Sequence, residues 1–117
     1  MKKIYLLTGG TGHLGQAVIR ALLRENAKIR VLCLPQDKTP LPPQVEICRG
    51  DVRDKRSMAD LFDLQDYDRA IFIHMAALIT IGSVKNEEVE KINVLGTKNV
   101  LELCKENRID HLLYVSS

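Results

Sequence analysis

Eight residues, Thr8-Gly9-Gly10-Thr11-Gly12-His13-Leu14-Gly15, constrain this chain more than any others. They follow a short apolar run, residues 4–7, that reads as a strand, and they precede a stretch with helical spacing. Glycines at such a junction let the backbone turn sharply and come close to a negatively charged ligand. The helix that follows offers unpaired N–H groups and the positive end of its dipole, a setting for a pyrophosphate. Gly10, Gly12 and Gly15 satisfy G-x-G-x-x-G, and Gly9, Gly12 and Gly15 satisfy G-x-x-G-x-x-G. A plain strand-to-helix turn is the competing reading. The position between strand and helix favours a dinucleotide site.

Hydrophobic periodicity extends this unit along the chain. Residues 3–8 read as the first strand. Leu14, Ala17, Val18, Ala21 and Leu22 fall at helical spacing and are expected to form the buried face of the first helix. Residues 29–34 read as a second strand, and 35–43, with four prolines, as a loop. A short third strand is expected at 45–48. Asp54 is placed to cap a helix whose inner face carries Met58, Leu61 and Phe62. Residues 70–73 are a continuous apolar run, as in a strand buried on both sides. After an expected loop at 80–86 comes a long helix, roughly 87–106, with Val89, Ile92, Gly96, Val100 and Leu103 near one face. Residues 112–115 read as a fifth strand.

Strands alternating with helices predict right-handed crossovers and a parallel sheet. The expected fold is therefore α/β: a Rossmann-like doubly wound sheet, strand order 3-2-1-4-5, truncated after strand five. Its ligand crevice should lie between strands one and four. A length of 117 residues predicts one domain. The core is expected to be rich in Val, Ile, Leu and Ala, and no Trp is present. A net charge of +2, with cations spread along the chain, argues against nucleic-acid binding. Cys33, Cys48 and Cys104 have no C-x-x-C spacing and read as buried apolar residues in a reducing cytoplasm, with no metal site. The apolar run before Thr8 is too short for a signal peptide or a membrane span.

Four further segments join the glycine run. They are Gly50-Asp51-Val52-Arg53-Asp54, His74-Met75-Ala76-Ala77, Asn93-Val94-Leu95-Gly96-Thr97-Lys98-Asn99-Val100 and Tyr114-Val115-Ser116-Ser117. Together, in this order and spacing, they resemble the N-terminal part of the extended short-chain dehydrogenase/reductase family. That group includes nucleotide-sugar epimerases, dehydratases and dihydroflavonol-reductase-like enzymes. The resemblance implies NAD or NADP as cofactor, its pyrophosphate held by Gly9, Gly12, His13, Leu14 and Gly15. It implies that Asp51 accepts from the adenine amino group with Val52 beside the ring, although a loop or capping aspartate is the ordinary alternative. Met75, Ala76 and Ala77 would run under the pyrophosphate and nicotinamide ribose. Asn93, a poor helix former by propensity, would face the cofactor rather than merely tie helix to strand. His74 is expected to be a packed, hydrogen-bonded core residue. Ser117 matches the family's catalytic serine, which hydrogen-bonds the substrate oxygen.

Two departures shape the functional expectation. None of Tyr5, Tyr67 and Tyr114 has Lys four residues on, so the family's Tyr-x-x-x-Lys is absent and the chain as written is expected to be inactive. It reads as the cofactor-binding portion of an oxidoreductase or epimerase that moves hydride between nicotinamide and a carbinol or carbonyl substrate. A non-catalytic NADP-sensing or binding module is the alternative, and a fragment without measurable affinity a third. At the end of strand two, Cys33 and Leu34 supply neither the acid usual for NAD nor an arginine for NADP. Asp37 and Lys38 follow in the loop, so the choice stays open. A bare fifth strand with Leu112, Leu113 and Val115 predicts a homodimer or oligomer through the sheet edge.

Overall fold

The computed structural model describes residues 2–76 and 87–116. Ala77 and Ser117 of the expected site, and the expected loop at 80–86, lie outside the described residues. Five strands, β1 (Lys3–Thr8), β2 (Lys28–Cys33), β3 (Glu46–Arg49), β4 (Arg69–Ala76) and β5 (His111–Ser116), form one sheet. Its order is β3-β2-β1-β4-β5 and every pairing is parallel, as the alternating pattern predicts. Central β1 lies in register with both neighbours, Ile4 opposite Lys28 on β2 and Ala70 on β4.

Period-two alternation sorts the strand side chains onto two faces. Ile4, Leu6, Leu32, Cys48, Ala70 and Phe72 pack on one, with Met58, Leu61 and Phe62 from the β3–β4 connection. Val100 and Cys104 of helix α2 (Glu87–Glu106) close that layer. Leu7, Ile29, Val31, Cys33, Ile73 and Met75 occupy the other, against Ile19 of helix α1 (His13–Arg24) and Val45. All three cysteines are buried and free. Burial pushes the Cys48 thiol up to about 11 and the Cys104 thiol to about 12, so both stay protonated.

Three local expectations need correction. First, the buried face of α1 is rotated. Gly15 and Ile19 are buried and Val18, Leu22 and Leu23 half-buried, whereas Leu14 is 45% exposed and Ala17 and Ala21 are also exposed. The cause is Gly15, which lies against the glycine-run backbone and so fixes the rotation of the helix. Second, Asp54 does cap, accepting from the Arg56 amide at 3.1 Å, but what it caps is a 3-10 turn, Lys55–Met58. Tight turns continue through i+3 bonds, Leu61 N–H to Met58 and Phe62 N–H to Ala59. Arg30 braces the end of this stretch: its Nη1 donates to the carbonyls of Asp60, Leu61 and Asp63. Third, β2 ends at Cys33 and β4 runs from Arg69 to Ala76, so the apolar run 70–73 is only part of its strand, with three more residues after it.

Candidate functional site

The glycine run leaves the C-terminal end of β1, in the middle of the sheet. Gly9 has φ 70°, and a Cβ there would overlap the Met75 carbonyl oxygen on β4. Gly15 is equally confined: a Cβ would stand 2.6 Å from Gly10 Cα and 2.7 Å from its carbonyl carbon. Its tight packing is thus against the glycine run itself rather than against a strand. Gly12 differs. Its backbone is extended (φ −77°, ψ 175°), and a Cβ would meet only the Gly9 carbonyl oxygen, at an ordinary 3.7 Å. Gly12 is exposed, donates its own N–H to Gly9 (3.3 Å) and accepts the first helical bond of α1, from Gln16 (2.9 Å). No side chain caps α1 and its first turn has no acid, so the His13 and Leu14 amides form an uncapped positive end.

Beside the run lies a cavity of about 500 Å³. It brings together Gly9, Asp51, Val52, Met75 and Asn93 of the expected site. Gly12, His13, Leu14 and Gly15 are not on its lining. Ala76 closes β4 opposite Ser116.

Asp51 and Val52 follow β3, and α2 positions them. A Cβ on Gly96 would stand 2.5 Å from Val52 Cγ2, so glycine is what lets the helix come this close. Buried Asn99 then donates its Nδ2 to the Val52 carbonyl at 2.9 Å. The Asp51 carboxylate accepts from Arg53 through Nε (3.0 and 3.1 Å) and Nη2 (2.6 Å), which holds the carboxyl below its ordinary value. Asn93 also faces the cavity, and its Nδ2 is buried with no hydrogen-bond partner among the described residues.

His74 is 5% exposed. Its Nδ1 shares a hydrogen bond with Thr8 Oγ1 and its Nε2 one with Thr97 Oγ1 at 3.0 Å. Thr8 Oγ1 also accepts from the Met75 amide at 3.2 Å. Burial pushes the imidazole below its ordinary pKa, so it stays neutral with both nitrogens occupied. It is the packed core histidine that the sequence predicts, joining β1, β4 and α2 under the cavity floor.

Three residues of the site escape the sequence reading, wholly or in part. Thr11 lines the cavity and donates Oγ1 to Asp37 Oδ2 at 2.9 Å. Asp37 itself, left open by sequence, also lines it, whereas Lys38 does not. Asn99 carries the same signal as Asn93, a poor helix former in mid-helix, and that signal was sufficient to single it out.

Residues 6–117 match the family model described as the 3-beta hydroxysteroid dehydrogenase/isomerase family. Mouse 3 beta-hydroxysteroid dehydrogenase type 7 is 30% identical over 97% of this chain, which covers 32% of that protein. A putative UDP-glucose 4-epimerase of Methanocaldococcus jannaschii is 33% identical over 96% of the chain and 37% of its own length. Among solved structures, the Thermus thermophilus UDP-glucose 4-epimerase complex with NAD superposes with a TM-score of 0.78. It is 27% identical, over 93% of this chain and 36% of that one. The chain thus spans about a third of the length of the curated relatives it matches. Matched from Leu6, inside its first strand, to its last residue, the chain belongs to the 3-beta hydroxysteroid dehydrogenase/isomerase family, within the extended short-chain dehydrogenase/reductases.

Proposed function

We propose that residues 1–117 are a nicotinamide-dinucleotide-binding domain, the cofactor-holding portion of an oxidoreductase or epimerase. One observation carries this reading. Gly9 and Gly15 are glycines because the fold leaves no room for a Cβ, but nothing among the described residues requires glycine at Gly12. Its bare, exposed backbone beside an uncapped helix end fits the close approach of a pyrophosphate. The unpartnered Nδ2 of Asn93 and a cavity within the usual range for ligand pockets fit the remainder of the cofactor.

In this reading the amides of His13 and Leu14 hold the pyrophosphate. Asp51 and Val52 receive the adenine, with Arg53 yielding one carboxylate oxygen. Met75, Ala76 and Ala77 line the path to the nicotinamide ribose, and Asn93 donates into the site. When bound, the nicotinamide supplies a hydride donor or acceptor. Ser117 would hold the substrate oxygen in the full-length setting, and the substrate is a carbinol or carbonyl compound. Three free, buried cysteines suit a reducing cytoplasm. No helix among the described residues is long and apolar enough to cross a membrane.

Calorimetric titration of NADH and NADPH tests the reading. Gly12→Val should lower affinity for the preferred dinucleotide by roughly a hundredfold or more, ~2.7 kcal/mol, while the melting temperature barely moves. Unchanged binding in this variant would remove the pyrophosphate assignment.

Self-association belongs to the same proposal. Leu113 and Tyr114 on edge strand β5 are 52% and 54% exposed. Such an edge pairs readily with another chain. Sedimentation should show a dimer or larger species that Leu113→Lys weakens. A chain that stays monomeric at high concentration would defeat this part.

A further inference from the structure

We propose that Asp37 reads the adenosine ribose and makes this chain prefer NAD to NADP, an inference that rests on the dinucleotide reading above. The acid that commonly ends the second strand of such sheets is replaced here by Cys33 and Leu34. The structure supplies a carboxylate to the same cavity from the loop that follows, with Cys33, Leu34 and Asp37 all on the lining.

Asp37 is held in place from three directions. Thr39 donates its amide (3.0 Å) and its hydroxyl (2.7 Å) to Oδ1. Thr11, inside the glycine run, donates to Oδ2. The backbone is pinned as well. Asp37 N–H donates to the Leu34 carbonyl at 3.0 Å, and Arg49 Nη1 donates to the carbonyls of both Leu34 and Asp37. The donors from Thr39, then that from Thr11, hold the carboxyl below its ordinary value, so it is ionised at neutral pH. Tying Asp37 to Thr11 places this charge beside the pyrophosphate loop, one sugar away from the phosphates in an adenosine diphosphate.

An ionised carboxylate accepts hydrogen bonds and cannot donate them. The 2′ hydroxyl of NAD can donate to the lone pair left on Oδ2. The 2′-phosphate of NADP brings like charge against it. The two guanidiniums nearby are already committed, Arg53 to the Asp51 carboxylate and Arg49 to backbone carbonyls. Both would have to divide their donors between those partners and a phosphate.

Titrating the chain with NADH and NADPH should give NADH binding about a hundredfold tighter, the discrimination expected for a like-charge contact of this kind. Asp37→Asn keeps an acceptor for Thr39 and removes the charge. It should bring the two affinities within about tenfold of each other, mainly by tightening NADPH. A ratio unchanged by Asp37→Asn, or a wild-type chain that prefers NADPH, overturns the proposal. The unmodified chain gives a second measurement, free of any folding defect in the variant. 5′-AMP should displace NADH better than adenosine 2′,5′-bisphosphate, and equal or better displacement by the bisphosphate refutes the assignment. Gly12→Val separates the two levels. Binding that Gly12→Val abolishes, but whose NADH-to-NADPH ratio Asp37→Asn leaves unchanged, sinks the ribose proposal alone. No binding of either dinucleotide, or binding indifferent to Gly12→Val, sinks both.

Discussion

Gly15→Ala should destabilise the chain by about 2–4 kcal/mol, although alanine is the better helix former by about 1 kcal/mol. The sign is decided by where the methyl group goes. It would stand 2.6–2.7 Å from Gly10 backbone atoms and also overlap the Gly9 carbonyl. These are main-chain atoms, and Gly9 cannot retreat because its far side lies against the Met75 carbonyl. Either α1 lifts from the glycine run or the run leaves β4, and both displace the amides of His13 and Leu14. Chemical denaturation measures the loss, and NADH affinity should fall with it. The comparison with Gly12 is the informative one. Gly15→Ala should lose stability and binding together, whereas Gly12→Val should lose binding alone. Gly15→Ala as stable as the parent chain would mean that the helix does not pack where the structure puts it.

Arg30→Leu is the second large effect, about 3 kcal/mol of stability. At this size of chain that lowers the melting temperature by roughly 10 °C or more. Arg30 is 6% exposed, in the middle of β2. Its Nη1 reaches the carbonyls of Asp63 (2.7 Å), Leu61 (3.1 Å) and Asp60 (3.3 Å), and its Nε pairs with Glu46 at 2.7 Å. The guanidinium also lies over the Tyr67 ring, 5.8 Å from its centroid. Leucine would fill much of the space but leave the carbonyls without a donor, and the turns at 59–63 have no helical ladder to fall back on. Glu46→Gln provides the contrast. Glu46 is half exposed, so losing that ion pair should cost well under about 1 kcal/mol. Equal losses from the two variants would show that the ion pair, not the carbonyl cluster, is what Arg30 contributes.

These two residues also mark what the sequence makes legible. Strand order followed from alternation of apolar strands and helices, because each buried run has only a few ways to be covered. Gly9 and Met75 could be placed near each other for the same reason. The face of α1 could not be read correctly. Leu14, Ala17 and Ala21 have helical spacing and apolar side chains, but rotation is set by a residue with no side chain, Gly15. Hydrophobic periodicity is blind to a contact between backbones. The connection after Asp54 misled for a different reason. Met58, Leu61 and Phe62 are buried as their spacing suggests, yet the backbone is a series of tight turns. What braces it is Arg30, some 30 residues earlier, and no local window contains both. Asp37 lay between: a loop acid of unremarkable context until Thr11 and Thr39 are seen to hold it.

The placement of β1 between β2 and β4 sets an order of assembly. Ile4 meets Lys28 across a span of 24 residues, while Lys3 meets Arg69 across 66. Closing the longer span adds only about 0.9 kcal/mol of chain entropy, but during synthesis it has to wait for a later part of the chain. A ribbon of β1, β2 and β3 can form first, with Thr11 and Asp37 already within it and the other edge of β1 open. Met75, which confines Gly9, and Asn93 arrive only with the second half. A dinucleotide touching both halves would therefore favour the joined state by mass action. Hydrogen exchange in β1 and β4 should slow when it binds, more than in β3, making the ligand a late fastener of the sheet as well as a passenger on it.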